Sequence, residues 1–157
     1  MRPTVYLETT IISYLAARPS KDLITAACQT MTHEWWNRRR RDFELLVSER
    51  VIFEAQRGDR TMSARRLTFI DGLEVLRVSA STAGFVEKLL KGTGLPVTAV
   101  EDVFHIAVTA ENRVDFLLTW NCRHIANAVL VKKVEQICAA LGHKCPTICT
   151  PQELMGD

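Results

Sequence analysis

Apolar residues along the chain follow two alternating patterns. Short apolar runs have the length and composition of buried strands, and they cover residues 4–7, 43–47, 74–78, 116–120 and 147–149. The segments between them place apolar residues at helical spacing. They predict helical structure over residues 11–15, about 22–40, 48–58 and 61–70, from 79 to 91, over 98–112, and from 121 to 141.

Strands that alternate with helices predict a single sheet of mostly parallel strands. Parallel neighbours need crossover connections, and right-handed crossovers place helices on both faces of the sheet. No linker rich in proline, glycine or serine and no repeat interrupts the pattern. We therefore expect one α/β domain over residues 1–157, a three-layer α/β/α sandwich with its ligand site at the carboxyl ends of the strands.

Composition restricts the class of protein further. Hydrophobic residues make up 47% of the chain and charged residues 24%, as in ordinary globular proteins. The longest apolar runs are far shorter than the ~20 residues that a membrane-spanning helix needs. Glu8 interrupts the segment where a signal peptide would keep its apolar core. We expect a cytoplasmic protein that does not associate with membranes.

The five cysteines also suit the cytoplasm, a reducing compartment. They are odd in number and contain no Cys-x-x-Cys pair, as expected for thiols that stay reduced. A zinc site could be assembled from Cys138, His143, Cys145 and Cys149. Their spacing is irregular, so buried free thiols are the preferred interpretation.

Acidic and amide side chains lie where the predicted strands end. Glu8 follows the first strand and Glu54 lies in the helix after the second strand. Asp102 is near the start of a later helix, and Asn121 follows strand 116–120. Such positions can converge at one edge of a parallel sheet. Oxygen ligands of this kind suit Mg²⁺ or Mn²⁺, which predicts a metal site able to hydrolyse a phosphodiester.

Four stretches of the chain resemble the PIN-domain family, in the family's order and over nearly the whole length. They read VYLETT at 5–10, VSERVIFE at 47–54, EDVFHIA at 101–107 and FLLTWN at 116–121. The last two, taken together at their spacing, are the specific ones.

This resemblance implies a ribonuclease that uses Mg²⁺ or Mn²⁺, of the kind found as the toxin in bacterial toxin–antitoxin pairs. It places Glu8, Glu54, Asp102 and Asn121 at the family's catalytic positions, with the first three as metal ligands. It further implies an RNA substrate, a cognate antitoxin protein and a homodimer.

Two of these positions depart from the family's commonest pattern. Glu8 stands where aspartate is usual, so its carboxylate is one methylene further from the backbone. Asn121 offers an oxygen without a charge, which predicts weak binding of a second ion. The alternative function is a PIN-like RNA-binding or scaffold module with weak catalytic activity or none.

Local structural roles compete with the site roles of several residues. Thr98 and Glu101 match a capping box, which favours Glu101 as a helix cap rather than a ligand. Asn121 is also a suitable N-cap for the helix that follows it. The apolar neighbours of Glu54 favour its burial, and a buried carboxylate favours a nearby cation.

Three further polar residues lie next to the acids. His105 is one turn after Asp102, and we expect it to pack and form hydrogen bonds rather than to act in catalysis. Thr9 and Thr119 are suited to orienting a ligand carboxylate or a metal-bound water through their hydroxyls.

The run Arg38–Arg41 follows Trp35 and Trp36 and admits two interpretations. It could contact RNA phosphates or an acidic partner segment. It could equally be a solvated helix end whose tryptophans pack inward. The Trp35–Trp36 region also offers aromatic surface of the sort enriched at protein interfaces, so we expect a homodimer.

Overall fold

The strands of the computed structural model, which describes residues 1–156, form one sheet in which every neighbouring pair is parallel. The strand order is β3-β2-β1-β4-β5. The strands are β1 Thr4–Leu7, β2 Glu44–Ser48, β3 Glu74–Leu76, β4 Phe116–Leu118 and β5 Thr147–Cys149. The predicted parallel sheet is confirmed.

Helices cover both faces of this sheet, which confirms the three-layer α/β/α sandwich. Within residues 1–156 they are α1 Thr9–Ala16, α2 Leu23–Arg38, α3 Glu49–Ala55, α4 Arg60–Ile70, α5 Thr82–Thr93, α6 Val100–Glu111 and α7 Ala128–Ala140. Helix α1 packs on α2, α3 and α4, whereas α5 packs on α6 and α7. These two groups form the outer layers.

The central strand is buried on both faces. Val5, Tyr6 and Leu7 are all inaccessible to solvent, so β1 is a continuous apolar run rather than an alternating one. Strands β2 and β4 flank β1 on opposite sides. Strands β2 and β3 lie on one side of β1, and the later strands β4 and β5 lie on its other side. The strand order therefore reverses between β1 and β4, where such folds bind ligands.

Several element ends differ from the sequence-based predictions. Strand β4 ends at Leu118 rather than Trp120, and α7 begins at Ala128 rather than directly after Asn121. Helix α6 begins at Val100, because a 3-10 turn over Val97–Ala99 precedes it. By contrast, Ser48 is the N-cap of α3 as expected, and its hydroxyl accepts a hydrogen bond from the amide of Val51.

No helix that the structure describes between residues 1 and 156 is both long enough and apolar enough to cross a membrane.

Candidate metal centre

Side chains from three separate elements converge near the carboxyl end of β1. Glu8 caps α1 directly after β1, Glu54 lies near the end of α3, and His105 lies in the middle of α6. One ligand atom from each residue lies within 4.8 Å of the corresponding atoms of the other two. This group of Glu8, Glu54 and His105 is the candidate metal centre.

The carboxylate of Glu8 is buried and held by hydroxyl groups. Its Oε2 accepts hydrogen bonds from the hydroxyls of Thr119 at 2.7 Å and Thr10 at 2.5 Å, and from the Thr10 amide at 3.1 Å. These three bonds all end on Oε2, and Oε1 has no hydrogen-bond donor within residues 1–156. The fixed carboxylate therefore keeps one oxygen for a ligand.

The carboxylate of Glu54 is arranged in a similar way. Its Oε2 accepts a hydrogen bond from the Thr9 hydroxyl and lies 3.7 Å from Nε2 of His105. Burial by itself would raise the pKa of Glu54, but the interactions with His105 and Thr9, aided by the positive charge of Arg50, hold it below its ordinary value. Glu54 is therefore anionic at neutral pH.

The imidazole of His105 is held by a buried chain of hydroxyl groups. Its Nδ1 lies 2.6 Å from the hydroxyl oxygen of Tyr6, which lies 2.7 Å from Oγ of Ser48. Burial raises the pKa of Tyr6 well above its ordinary range, so the phenol stays protonated. When Nε2 of His105 carries the proton that faces Glu54, the Tyr6 hydroxyl donates to Nδ1.

This donor set fits a divalent cation. Two carboxylate oxygens and an imidazole nitrogen lie close together, and their orientation is already set by the groups around them. Carboxylates suit Mg²⁺ and Mn²⁺, while an imidazole ligand is unusual for Mg²⁺. The combination therefore suits Mn²⁺ better than Mg²⁺.

The other two predicted site residues, Asp102 and Asn121, meet at His124 instead. Oδ2 of Asp102 lies 2.7 Å from Nδ1 of His124, and Oδ1 of Asn121 accepts a hydrogen bond from the His124 amide at 3.0 Å. Asp102 lies one turn before His105 on α6 but is not a member of the group that Glu8 and Glu54 form. The structure thus brings the four predicted residues together as two pairs.

Two capping predictions are wrong. Glu101 does not cap α6: its carboxylate pairs with Nε of Arg50 at 2.8 Å, and the N-cap residue Ala99 has no side-chain hydrogen bond to offer. Asn121 caps a turn that precedes α7, whereas Asn127 caps the helix itself, through hydrogen bonds from the amides of Val129 and Leu130.

The threonines have the predicted positions, since Thr9 and Thr119 each donate a hydrogen bond to one of the two glutamates. Sequence reasoning missed Thr10, although the polar run Glu8-Thr9-Thr10 directly after a buried strand was the available signal. It also placed His105 outside the site. His105 does pack and form hydrogen bonds, but it does so against Glu54.

The tryptophans next to the arginine run pack inward. Trp35 is fully buried and stacks on Phe43, while Trp36 packs edge-on against Phe69 and lies under the guanidinium of Arg40. The tryptophans therefore pack inward as one interpretation expected, and the contact of the arginine run with RNA or a partner stays a prediction. Trp35 supplies no aromatic surface for a homodimer, whereas Trp36 is partly exposed, and the homodimer stays a prediction.

The cysteines are free thiols. Burial raises the pKa of the Cys149 thiol to about 12. Within residues 1–156, Glu8, Glu54 and His105 form the only cluster of metal-ligating side chains, so the four residues considered for zinc do not assemble.

A scan against protein-family models found no match to this sequence, and a search of curated proteins found no significant match. The resemblance to PIN domains therefore rests on the four sequence stretches.

Proposed function

We propose that this chain is a divalent-metal-dependent endoribonuclease of the PIN-domain type, the cytoplasmic toxin of a toxin–antitoxin pair. A cognate antitoxin protein and a homodimer belong to this proposal. The observation that supports it best is the convergence of Glu8, Glu54 and His105 at the carboxyl end of the central strand. This position, next to the reversal of strand order, is where open parallel sheets bind ligands.

The charges of the two glutamates support a bound cation. Glu54 is anionic at neutral pH, and a second carboxylate lies within 4.8 Å of it in a largely buried position. Neighbouring carboxylates repel one another, and burial strengthens that repulsion. A divalent cation held by both carboxylates would replace this repulsion with attraction to the ion.

Glu8 and Glu54 would hold the ion together with Nε2 of His105. Nε2 would then be unprotonated, and the proton on Nδ1 would be donated to the Tyr6 hydroxyl. Thr10 and Thr119 keep Glu8 in place, Thr9 does so for Glu54, and Tyr6 orients the imidazole. When bound, the cation supplies activation of water and neutralises charge that develops on the phosphate oxygens.

Asp102 and His124 would contribute to the reaction outside the metal centre. The Asp102 carboxylate accepts a hydrogen bond from Nδ1 of His124 and so orients the imidazole ring. Nε2 of His124 has no hydrogen-bond partner within residues 1–156. His124 is partly exposed and can exchange a proton with a substrate oxygen through Nε2.

One observation favours the alternative function, an RNA-binding or scaffold module with little activity. Asp102 is engaged by His124, and Asn121 carries no charge, so the centre itself has only two carboxylates within residues 1–156. Fewer charged ligands bind a divalent ion more weakly.

Cleavage of single-stranded RNA by the purified chain tests the proposal. We expect cleavage with Mn²⁺ or Mg²⁺ and none with EDTA. Glu8→Gln and Glu54→Gln should each reduce the rate by about 100-fold or more, the order seen when a group that stabilises the transition state is removed. Glu44→Gln is the matched control, because Glu44 is exposed and begins β2 at the opposite edge of the sheet.

The outcomes separate the two functions. Cleavage that persists in EDTA, or full activity in Glu8→Gln, would overturn the metal-dependent mechanism. Manganese binding by the folded protein without cleavage of any RNA would favour the binding module. Circular dichroism of each variant establishes that a loss of activity does not reflect unfolding.

A further inference from the structure

An exposed groove with aromatic walls lies beside the candidate metal centre. It has a volume of about 440 Å³ and is lined by Glu49, Arg50, Phe53, Val78 and Phe104. Phe53 is 53% exposed and Val78 is 47% exposed, so the apolar lining of the groove faces solvent. We call this feature the Phe53–Phe104 groove.

The groove and the metal centre share the two helices α3 and α6. Phe53 directly precedes Glu54 on α3, and Phe104 directly precedes His105 on α6. The rings of Phe104 and His105 lie 6.1 Å apart, edge to face. The same two helices therefore carry both walls of the groove and two of the three residues of the metal centre.

Arg50 lies between the two aromatic rings. Its Cζ atom is 5.6 Å from the ring centroid of Phe53 and 5.7 Å from that of Phe104. Its Nε lies 2.8 Å from Oε2 of Glu101, so the two side chains form an ion pair. The terminal nitrogens Nη1 and Nη2 have no hydrogen-bond acceptor in the part of the chain that the structure describes, residues 1–156.

We propose that the Phe53–Phe104 groove binds a nucleotide of single-stranded RNA next to the phosphate that is cut. The base stacks on Phe53, and the terminal nitrogens of Arg50 donate hydrogen bonds to the adjoining backbone phosphate. Aromatic stacking combined with an arginine is the usual way in which proteins hold single strands without reading their sequence. This inference rests on the proposed function, because it takes RNA as the substrate.

The alternative occupant of an apolar groove is a segment of a partner protein. An apolar helix placed here would cover the guanidinium of Arg50 and leave its two terminal nitrogens buried without acceptors. Burying unpaired donors of a charged group is costly. A phosphodiester supplies both the acceptors and the negative charge, so the chemistry of the groove favours a nucleotide.

Binding of a short RNA to the full chain in EDTA tests this site without cleavage. The probe is a single-stranded RNA that carries 2-aminopurine, whose fluorescence falls when the base stacks. We expect Phe53→Ala to weaken binding by about 5- to 150-fold, the range for loss of one stacked base. Phe53→Tyr keeps the ring and should bind as the parent does. Leu23→Ala, which alters an exposed apolar residue on α2, is the control and should change nothing.

Equal RNA affinity of Phe53→Ala and the parent would overturn the nucleotide site and favour a protein segment in the groove. Absence of RNA binding by the parent would overturn it as well. Cleavage assays with Mn²⁺ keep this result separate from the proposed function. If RNA is cut but Phe53→Ala is unaffected in both binding and cleavage, only the groove proposal fails. If RNA binds through Phe53 but is never cut, only the ribonuclease proposal fails.

Discussion

The hydroxyl oxygen of Tyr6 lies 2.6 Å from Nδ1 of His105, although 99 positions separate the two residues along the chain. Both side chains are buried, so this contact joins the central strand to the middle of α6 inside the core. It also determines how the imidazole faces Glu54, and it links the stability of the fold to the geometry of the candidate metal centre.

Removing this hydroxyl should destabilise the protein. Tyr6→Phe leaves Nδ1 of His105 and the hydroxyl of Ser48 without their buried partner, and we expect a loss of about 1–3 kcal/mol in the free energy of unfolding. Urea denaturation followed by circular dichroism measures it. Tyr14→Phe is the matched control, because the Tyr14 hydroxyl has no hydrogen bond with any residue from 1 to 156. An equal loss in both variants would contradict the proposed role of the contact.

The stability of the protein should depend on the charge of Glu54 at acid pH. The folded-state pKa of Glu54 lies below its ordinary value of 4.5, so its ionised form is favoured by folding. That contribution is complete above the unfolded-state pKa and is lost as the pH falls through the folded-state pKa. Below about pH 4.5, the parent should therefore lose unfolding free energy more steeply than Glu54→Gln. Urea titrations between neutral and acid pH compare the two, and parallel curves would show that folding does not favour the ionised carboxylate.

Manganese should raise the melting temperature through the candidate centre. A free Mn²⁺ concentration of about 100 times the dissociation constant stabilises the folded state by about 2.7 kcal/mol. For a chain of this length, this raises the melting temperature by about 5 to 10 °C. Differential scanning fluorimetry should show this shift in the parent and little of it in Glu8→Gln. Asp102→Asn should retain most of the shift, because Asp102 pairs with His124 outside the group. A shift lost equally in both variants would place Asp102 among the ligands.

The strands illustrate what local pattern predicts well. Val5, Tyr6 and Leu7 form an uninterrupted apolar run, as expected of a strand that is covered on both faces. Together with the alternating helices, it predicted a parallel sheet with Glu8 at the carboxyl end of a strand. Glu54 was also identified from its partly apolar surroundings. These predictions succeeded because the burial of a strand and the direction of the chain follow from residues that are close together in sequence.

At the starts of two helices, the capping motif in the local sequence did not predict the contacts that form. Thr98 and Glu101 have the spacing of a capping box, yet Thr98 lies in the turn Val97–Ala99 and Glu101 pairs with Arg50 from α3. The ion pair involves a residue far away in sequence, so the local pattern could not reveal it. Asn127 capped α7 in place of Asn121 for a related reason, since the chain first completes a separate turn around His124.

By itself, the sequence determined the α/β class, the parallel sheet, the edge of the sheet that carries the acids, and the threonines beside them. Only the tertiary structure decided that His105 joins Glu8 and Glu54, that Asp102 turns to His124, and that Arg50 lies between Phe53 and Phe104. Hydrophobic periodicity sets which face of each element is buried. Which polar atoms then meet depends on how the helices are placed over the sheet, and that placement is set by packing between residues distant in sequence.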